Sequence, residues 1–283
     1  MYRNLSPWAI GANRGDLDIF QAAASAGFQG IDPDLAPLLD GCTPDEFMQP
    51  YQASGLRLGS WGLPVSVRGT DQEFQQGLVT LERMAEAAGS IGADRCATWI
   101  LPYSETLTYD ENFSFHALRL KPCAEILASH GCRLGLEFIG PRTLRHGKPY
   151  EFIHTLGGML ELARSIGTGN VGLLLDSWHW YTSHGTVDDL LKLHDGDVVV
   201  VHINDAPAGI PVDEQIDNKR EVKGATGIIN LTGFLSALGQ IGYSGPVSPE
   251  PFNEALSALP SSQSVAAAGG ALVDVWNRAF PES

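Results

Sequence analysis

The feature that most constrains this chain is an alternation running along its whole length. Short β-branched, apolar runs give way again and again to longer stretches whose apolar residues recur at i, i+3, i+4 and i+7. Eight such units are present, with strand candidates at Pro7–Asn13, Gly30–Pro33, Leu56–Leu63, Arg95–Leu101, Arg133–Ile139, Val171–Ser177, Val198–Asn204 and Pro246–Glu250. Runs such as GLLLD and DVVVVHI are apolar almost throughout, as expected of strands covered on both faces. Between them, DLDIFQAAASAGF, DQEFQQGLVTLERMAEAAGSIG, SFHALRLKPCAEILASHG and YEFIHTLGGMLELARSIG read as amphipathic helices, several ending in glycine. Pro122 falls inside one of them and is expected in a first turn or at a kink. Such alternation calls for α/β architecture around a parallel sheet, and eight units in 283 residues fit a closed (β/α)8 barrel. An open doubly wound sheet would carry G-x-G-x-x-G after its first strand. Ile10-Gly11-Ala12-Asn13-Arg14-Gly15 has the wrong spacing. With no long Gly/Ser/Pro linker and no low-complexity tract, residues 1–283 are expected to form one domain.

The formal charge of −15, from 33 acidic and 18 basic residues, repels a phosphate backbone, and no basic block offsets it. Nucleic acid is therefore not an expected partner. The four cysteines, Cys42, Cys96, Cys123 and Cys132, contain no C-x-x-C pair and read as reduced thiols. The opening MYRNLSPWAIGANRG lacks the apolar core of a signal peptide, and no stretch approaches the roughly 18 apolar residues of a membrane span. A cytoplasmic location and no membrane partner are expected. Barrels are commonly dimers or tetramers, and a homo-oligomer is compatible with this sequence.

In a parallel barrel the C-terminal ends of the strands meet at one mouth, so the informative residues are those where an apolar run stops. Four late strands stop on metal-ligand types: Glu137 in LGLEFIG, Asp176 in LLLDSWHW, His202 in VVVVHIND and Glu250 in PVSPEPF. Taken singly, an acidic residue there can simply cap the next helix, and a histidine after four valines can be a satisfied core residue. Taken together they point elsewhere. Three carboxylates buried side by side raise one another's pKa unless a cation stabilises them as anions. Three carboxylates and one imidazole form an oxygen-rich set that favours one Mn2+, Mg2+ or Co2+ ion, with Zn2+ also compatible.

Near this set, His179 follows Asp176 by three residues and could face a substrate oxygen or sit in a surface loop. Asp205 could orient His202 or cap the following loop, and capping is the expected role. Ala206–Thr226 is the longest irregular stretch and reads as a loop at the functional rim. It carries Arg220, which is either solvated or a clamp on a substrate oxygen. Trp61, Trp99, Phe138, Trp178 and Trp180 lie near strand ends, where most pack in the core and one or two could wall a sugar-binding site. Trp61 and Trp178 are the candidates for that wall.

These residues resemble the xylose-isomerase-like TIM barrel superfamily, and within it the inosose isomerase and ketose 3-epimerase branch. The resemblance rests on Leu136-Glu137-Phe138, Asp176-Ser177-Trp178-His179, His202-Ile203-Asn204-Asp205-Ala206 and Ile241-Gly242-Tyr243-Ser244-Gly245 with Pro249-Glu250. It implies metal ligation by Glu137, Asp176, His202 and Glu250. It also implies acid/base roles for Glu137 and Glu250 and substrate binding by His179 and Arg220. The implied reaction is isomerisation or epimerisation of a small ketose or inosose through a cis-enediolate, with a lyase that expels a β-hydroxyl as the alternative. Two departures are visible. The family usually follows its arginine with Pro-Gly-x-Gly, whereas this chain reads Arg220-Glu221-Val222-Lys223-Gly224-Ala225-Thr226-Gly227. Where ketose 3-epimerases tend to carry a second glutamate, it has Gly140-Pro141-Arg142, which turns the expectation away from free ketohexoses. Nothing clusters Lys or Arg near the late strands, so an unphosphorylated substrate is expected. A metal-dependent apurinic-site nuclease would need a histidine-rich cluster and a cationic face. A silent binding barrel would have no use for two glutamates across one metal.

Overall fold

The computed structural model describes residues 1–15, 18–222 and 224–281. Its strands are β1 (Tyr2–Leu5), β2 (Gly30–Ile31), β3 (Arg57–Leu58), β4 (Trp61–Gly62), β5 (Arg95–Ile100), β6 (Tyr103–Ser104), β7 (Arg133–Phe138), β8 (Tyr150–Glu151), β9 (Val171–Asp176), β10 (Val198–Ile203) and β11 (Pro246–Pro249). Nine of them form one parallel sheet in the order β3-β2-β1-β11-β10-β9-β7-β5-β4. Its two end segments, β3 and β4, are separated only by Gly59 and Ser60. β3 pairs with β2 and β4 pairs with β5, so one interrupted strand closes the sheet into an eight-stave barrel. The remaining strands, β6 and β8, form a small antiparallel pair outside it.

Local sequence explains the helices. Thr70 and Glu73 build a capping box at the start of the helix Asp71–Ile91. That helix buries Phe74, Gly77, Leu81, Ala85 and Ala88, spaced three or four residues apart, and stops at Gly92 with φ 77°. Thr108 and Glu111 open the helix Tyr109–Ser129 in the same way, five residues before the predicted start. Pro122 sits deep within it rather than in a first turn, and the missing N–H leaves the carbonyl of Leu118, an exposed residue, without its helical partner. The predicted helix at DLDIFQ begins at Ile19, capped by the Asp18 carboxylate; Asp16 and Leu17 lie outside the described residues. The predicted helix at YEFIH begins only at Leu156, because Tyr150–Glu151 pairs as β8.

The main core lies between strands and helices, with Val198, Val201, Phe234, Leu235, Leu238 and Leu272 among its fully buried members. A separate cluster of Leu174, Val199 and Val200 has Ala97 packed against it. Leu174 and Ala97 also line a cavity at the mouth, so this cluster forms the cavity floor.

One strand lies elsewhere than predicted. The first strand is Tyr2–Leu5, not Pro7–Asn13, which instead carries a 3-10 turn at Trp8–Ile10 ending in Gly11 at φ 68°. The reason is visible in Asn4. This polar residue is fully buried and hydrogen-bonds Asp32 and Ser248, so it interrupts the apolar alternation by which a strand is read. Pro7 has no N–H to give a ladder and begins the turn. The other predicted strands stand, shortened at their ends, with Leu56–Leu63 broken into β3 and β4. Among the described residues no helix is long and apolar enough to cross a membrane.

Candidate metal centre

Glu137 is the penultimate residue of β7, Asp176 the last of β9, His202 the penultimate of β10, and Glu250 directly follows β11. Parallel register sets His202 beside Asp176 on one side and beside Ser248 on the other. All four side chains are buried, and each offers a ligand atom within 4.8 Å of the others.

Asp176 caps a helix with one oxygen and turns the other towards the centre. Oδ1 accepts from the N–H groups of Trp178 (2.6 Å) and His179 (3.1 Å), capping the short helix Ser177–Thr182. Oδ2 faces the centre, where it accepts from Asn204 Nδ2 (2.8 Å) and Arg220 Nη1 (3.1 Å). Asn204 also accepts from the Glu250 N–H at 3.1 Å, so one amide fixes the spacing of two candidate ligands. Its isolated place after His202 gave no sequence signal for this.

The charges are strongly coupled. Burial first, then Glu250 and Asp176, push the Glu137 carboxyl well above the usual carboxylate range. Burial also raises Asp176, against the pull of Arg220. Burial would raise Glu250 too, but His202 and Arg220 outweigh it and hold that carboxyl low. For His202 burial works downward, yet Glu250, Glu137 and Asp176 lift the imidazole to about 9. Such a group fits a divalent cation. Glu137 Oε1 and His202 Nδ1 are buried with no hydrogen-bond partner, an arrangement costing about 1–3 kcal/mol per atom that a shared ion would relieve. The donor set of three carboxylates and one imidazole suits hard or borderline divalent metals.

Arg220 is buried and not a solvated side chain. Its Nη1 donates to Asp176 Oδ2 and to Glu250 Oε2 (3.2 Å), and its Nη2 donates to Asp217 Oδ1 (3.0 Å). Phe252 lies 4.7 Å from its guanidinium and Trp178 5.6 Å. His179 is 1% exposed, which removes the surface-loop reading. Its Nδ1 accepts from the Gly140 N–H (3.1 Å), and its Nε2 lies 3.1 Å from Arg220 Nη2, so both ring nitrogens face N–H donors. A Cβ on Gly140 would collide with the His179 carbonyl. Burial, with Arg220 and His202 adding to it, drives the His179 pKa well below its ordinary value, so the ring is held neutral.

Two cavities flank the centre. The first, of about 600 Å³, is lined by Ser6, Arg14, Asp32, Ser60 and Trp61 together with Glu137, His202 and Glu250. The second, of about 860 Å³, is lined by Leu144, His179, Ile216, Arg220 and Phe252 together with Glu137 and Glu250. Trp8 and Trp99, 63% and 50% exposed, border both. Trp61 thus lines the first cavity, its indole N–H donating to the Ala93 carbonyl. Trp178 lines neither; it is fully buried beneath Arg220 and supports the guanidinium instead of forming a wall. Phe138 and Trp180 belong to the core. Asp205 caps its loop, accepting from the N–H groups of Ala206, Thr226, Gly227 and Ile229. Sequence reasoning missed Trp8, Asp32 and Phe252. Phe252 carried only one indirect sign, its position two residues after Glu250.

Comparison with known proteins follows the same lines. An inosose isomerase of Halalkalibacterium halodurans is 30% identical over 164 residues, 57% of this chain and 54% of that protein. A 3-dehydroshikimate dehydratase of Pseudomonas aeruginosa is 32% identical over 143 residues, 50% of this chain and 21% of that protein. The chain therefore spans about half the length of the first of these curated relatives and less of the second. A xylose isomerase domain protein from Alicyclobacillus acidocaldarius superposes with a TM-score of 0.86 at 29% identity, covering 99% of both chains. The IOLI protein, crystallised with a binding zinc atom, shares the fold with a TM-score of 0.80 at 21% identity, again over 99% of both chains. The model of one family matches residues 20–271, and by that match the chain belongs to the xylose isomerase-like TIM barrel family.

Proposed function

We propose that this chain is a divalent-metal-dependent isomerase or epimerase of a ketose or inosose, with Glu137 and Glu250 as its acid/base pair. The observation that carries the reading is that both glutamates line both cavities, so a substrate in either one has both carboxylates within reach. The relatives named inosose isomerase, and the zinc atom bound to the IOLI protein, support it. Held by Glu137, Asp176, His202 and Glu250, a divalent ion would supply Lewis acidity to a ketone and its neighbouring hydroxyl, making the hydrogen between them acidic.

The protein's own groups do the rest. One glutamate removes that hydrogen, giving an enediolate. Arg220, fixed by Asp176, Glu250 and Asp217 and with Nη2 also beside His179 Nε2, adds the positive charge that stabilises the new oxyanion, and His179 lines the same cavity next to it. Proton return to the adjacent carbon isomerises the substrate, and return from the opposite face by the second glutamate epimerises it. Leu144, Ile216 and Phe252 give the second cavity an apolar side against which the carbon face of a substrate can lie. The similarity to a 3-dehydroshikimate dehydratase supports a second reading, in which the same proton removal is followed by loss of a β-hydroxyl.

The test is product analysis by NMR on metal-loaded protein with inososes, ketoses and 3-dehydroshikimate. A new ketone isomer that disappears with EDTA supports the proposal. Conversion only of 3-dehydroshikimate, with loss of water, supports the dehydratase instead.

A further inference from the structure

We infer that Asp32 is a substrate-binding and specificity-determining residue, whose Oδ2 accepts a hydrogen bond from a substrate hydroxyl remote from the reacting carbons. This rests on reading the site as one for a small polyhydroxylated ketone, and it narrows that class to neutral, hydroxyl-donating molecules.

Asp32 follows β2 directly and is 8% exposed at the wall of the first cavity, which it shares with Glu137, His202 and Glu250. Its two oxygens are treated very differently. Oδ1 accepts from Asn4 Nδ2 (2.8 Å), from the Ser60 N–H (2.8 Å) and, more loosely, from the Ser60 hydroxyl (3.4 Å). None of these three bonds goes to Oδ2, which is not one of the sealed, unpartnered atoms. The Ser6 hydroxyl, which lines the same cavity, also hydrogen-bonds the carboxyl, and the lone pair left on Oδ2 is the one offered to a ligand. A carboxylate anchored by one oxygen presents the other in a fixed direction, which is how a site prepays the entropy of orienting an acceptor.

The fold makes room for this arrangement. A Cβ on Gly59 would collide with Asp32 Oδ1 and the Asn4 amide, so the break between β3 and β4 is where the cluster enters the barrel. Asn4 in turn donates to Ser248 Oγ (2.9 Å) on β11, the strand that leads to Glu250, tying the subsite to the metal centre. The charge of the cavity sets the ligand class. Asp32, Asp34, Glu137 and Glu250 face Arg14 and His202, and one Arg14 guanidinium N–H is already given to the Asp32 carbonyl. Acidic walls with anchored acceptors favour hydroxyl donors over a carboxylate or phosphate.

Asp32→Asn is the direct test. It can keep an acceptor for Asn4 and Ser60 while turning the cavity-facing oxygen into a donor. With Mn2+-loaded protein and 2-keto-myo-inositol, the variant should raise KM roughly 10- to 100-fold with little change in kcat. On wild-type protein, one monodeoxy analogue of that ketone should lose affinity by the same factor, and it should lose nothing further on the variant. The deoxy series reads the contact without any substitution, so it stands even if the variant folds poorly. Equal affinity of variant and wild type, or equal losses for every analogue on both, would overturn the assignment. If no ketone is converted but myo-inositol binds wild type and is weakened by Asp32→Asn, the isomerase reading fails and the subsite stands. If wild type binds none of these polyols, the subsite falls as well.

Discussion

His202 Nδ1 lies 3.3 Å from Glu250 Oε2, yet it has no hydrogen-bond partner: the two atoms are close without being aligned as donor and acceptor. This is the relation expected if the two were ligands of one ion. The pair also explains the pKa ordering around it, because each holds the other in its charged form.

The first prediction concerns the ion. At free metal about 100-fold above Kd, binding should stabilise the fold by about 2.7 kcal/mol, and thermal melts should shift upward by several degrees and return with EDTA. Mn2+, Co2+, Mg2+ and Zn2+ are the ions to compare. His202→Asn should abolish the shift, whereas an unchanged shift would remove His202 from the ligand set.

Glu137→Gln separates function from stability. A carboxyl whose folded pKa is raised costs stability once the pH exceeds its unfolded value, and Glu137 is raised by burial and then by Glu250 and Asp176. The metal-free variant should therefore be as stable as wild type at pH 7, or more stable by about 1 kcal/mol, while activity falls by at least about 10²-fold. A destabilised variant with full activity would contradict both halves.

His116 gives a pH dependence away from the centre. Burial lowers its pKa to about 4, against the hydrogen bond with the Asn112 carbonyl. The folded protein thus binds fewer protons than the unfolded chain between pH 6.5 and 4. The associated stability is present above about 6.5 and is lost as pH falls towards 4, by about 3 kcal/mol. Urea titrations at several pH values should show a shallower acid slope for His116→Gln than for wild type.

Much of this molecule is legible in the sequence because the elements that build it are regular. β10 is buried at every position from Val198 to Ile203, so its run of valines could be read directly, and the four ligand candidates stand where such runs stop. What was hidden lies where polar groups enter the barrel. Asn4 masked the first strand, and Asp32 takes meaning only from Asn4 and Ser60, neighbours 28 residues away on either side. Trp178 misled for the opposite reason: sequence placed it near a strand end but could not show that it points beneath Arg220.

Asp205 tests the loop that follows the centre. Its carboxylate accepts from four backbone N–H groups, three of them in Thr226–Ile229. Asp205→Ala should cost about 2–3 kcal/mol and speed amide hydrogen exchange at Thr226, Gly227 and Ile229. Exchange that rises equally throughout the chain would mean that the residue holds the whole fold and not this loop.

The central claim is that Glu137 and Glu250 move a carbon-bound proton beside a ketone. The measurement that meets it most directly is deuterium uptake from D2O, followed by NMR, with metal-loaded protein and a panel of inososes and ketoses. The account predicts deuterium at the carbon next to the carbonyl, abolished by EDTA and reduced at least about 10²-fold in Glu137→Gln and in Glu250→Gln. Isomerisation without deuterium uptake from solvent, or uptake that survives in both variants, would contradict it.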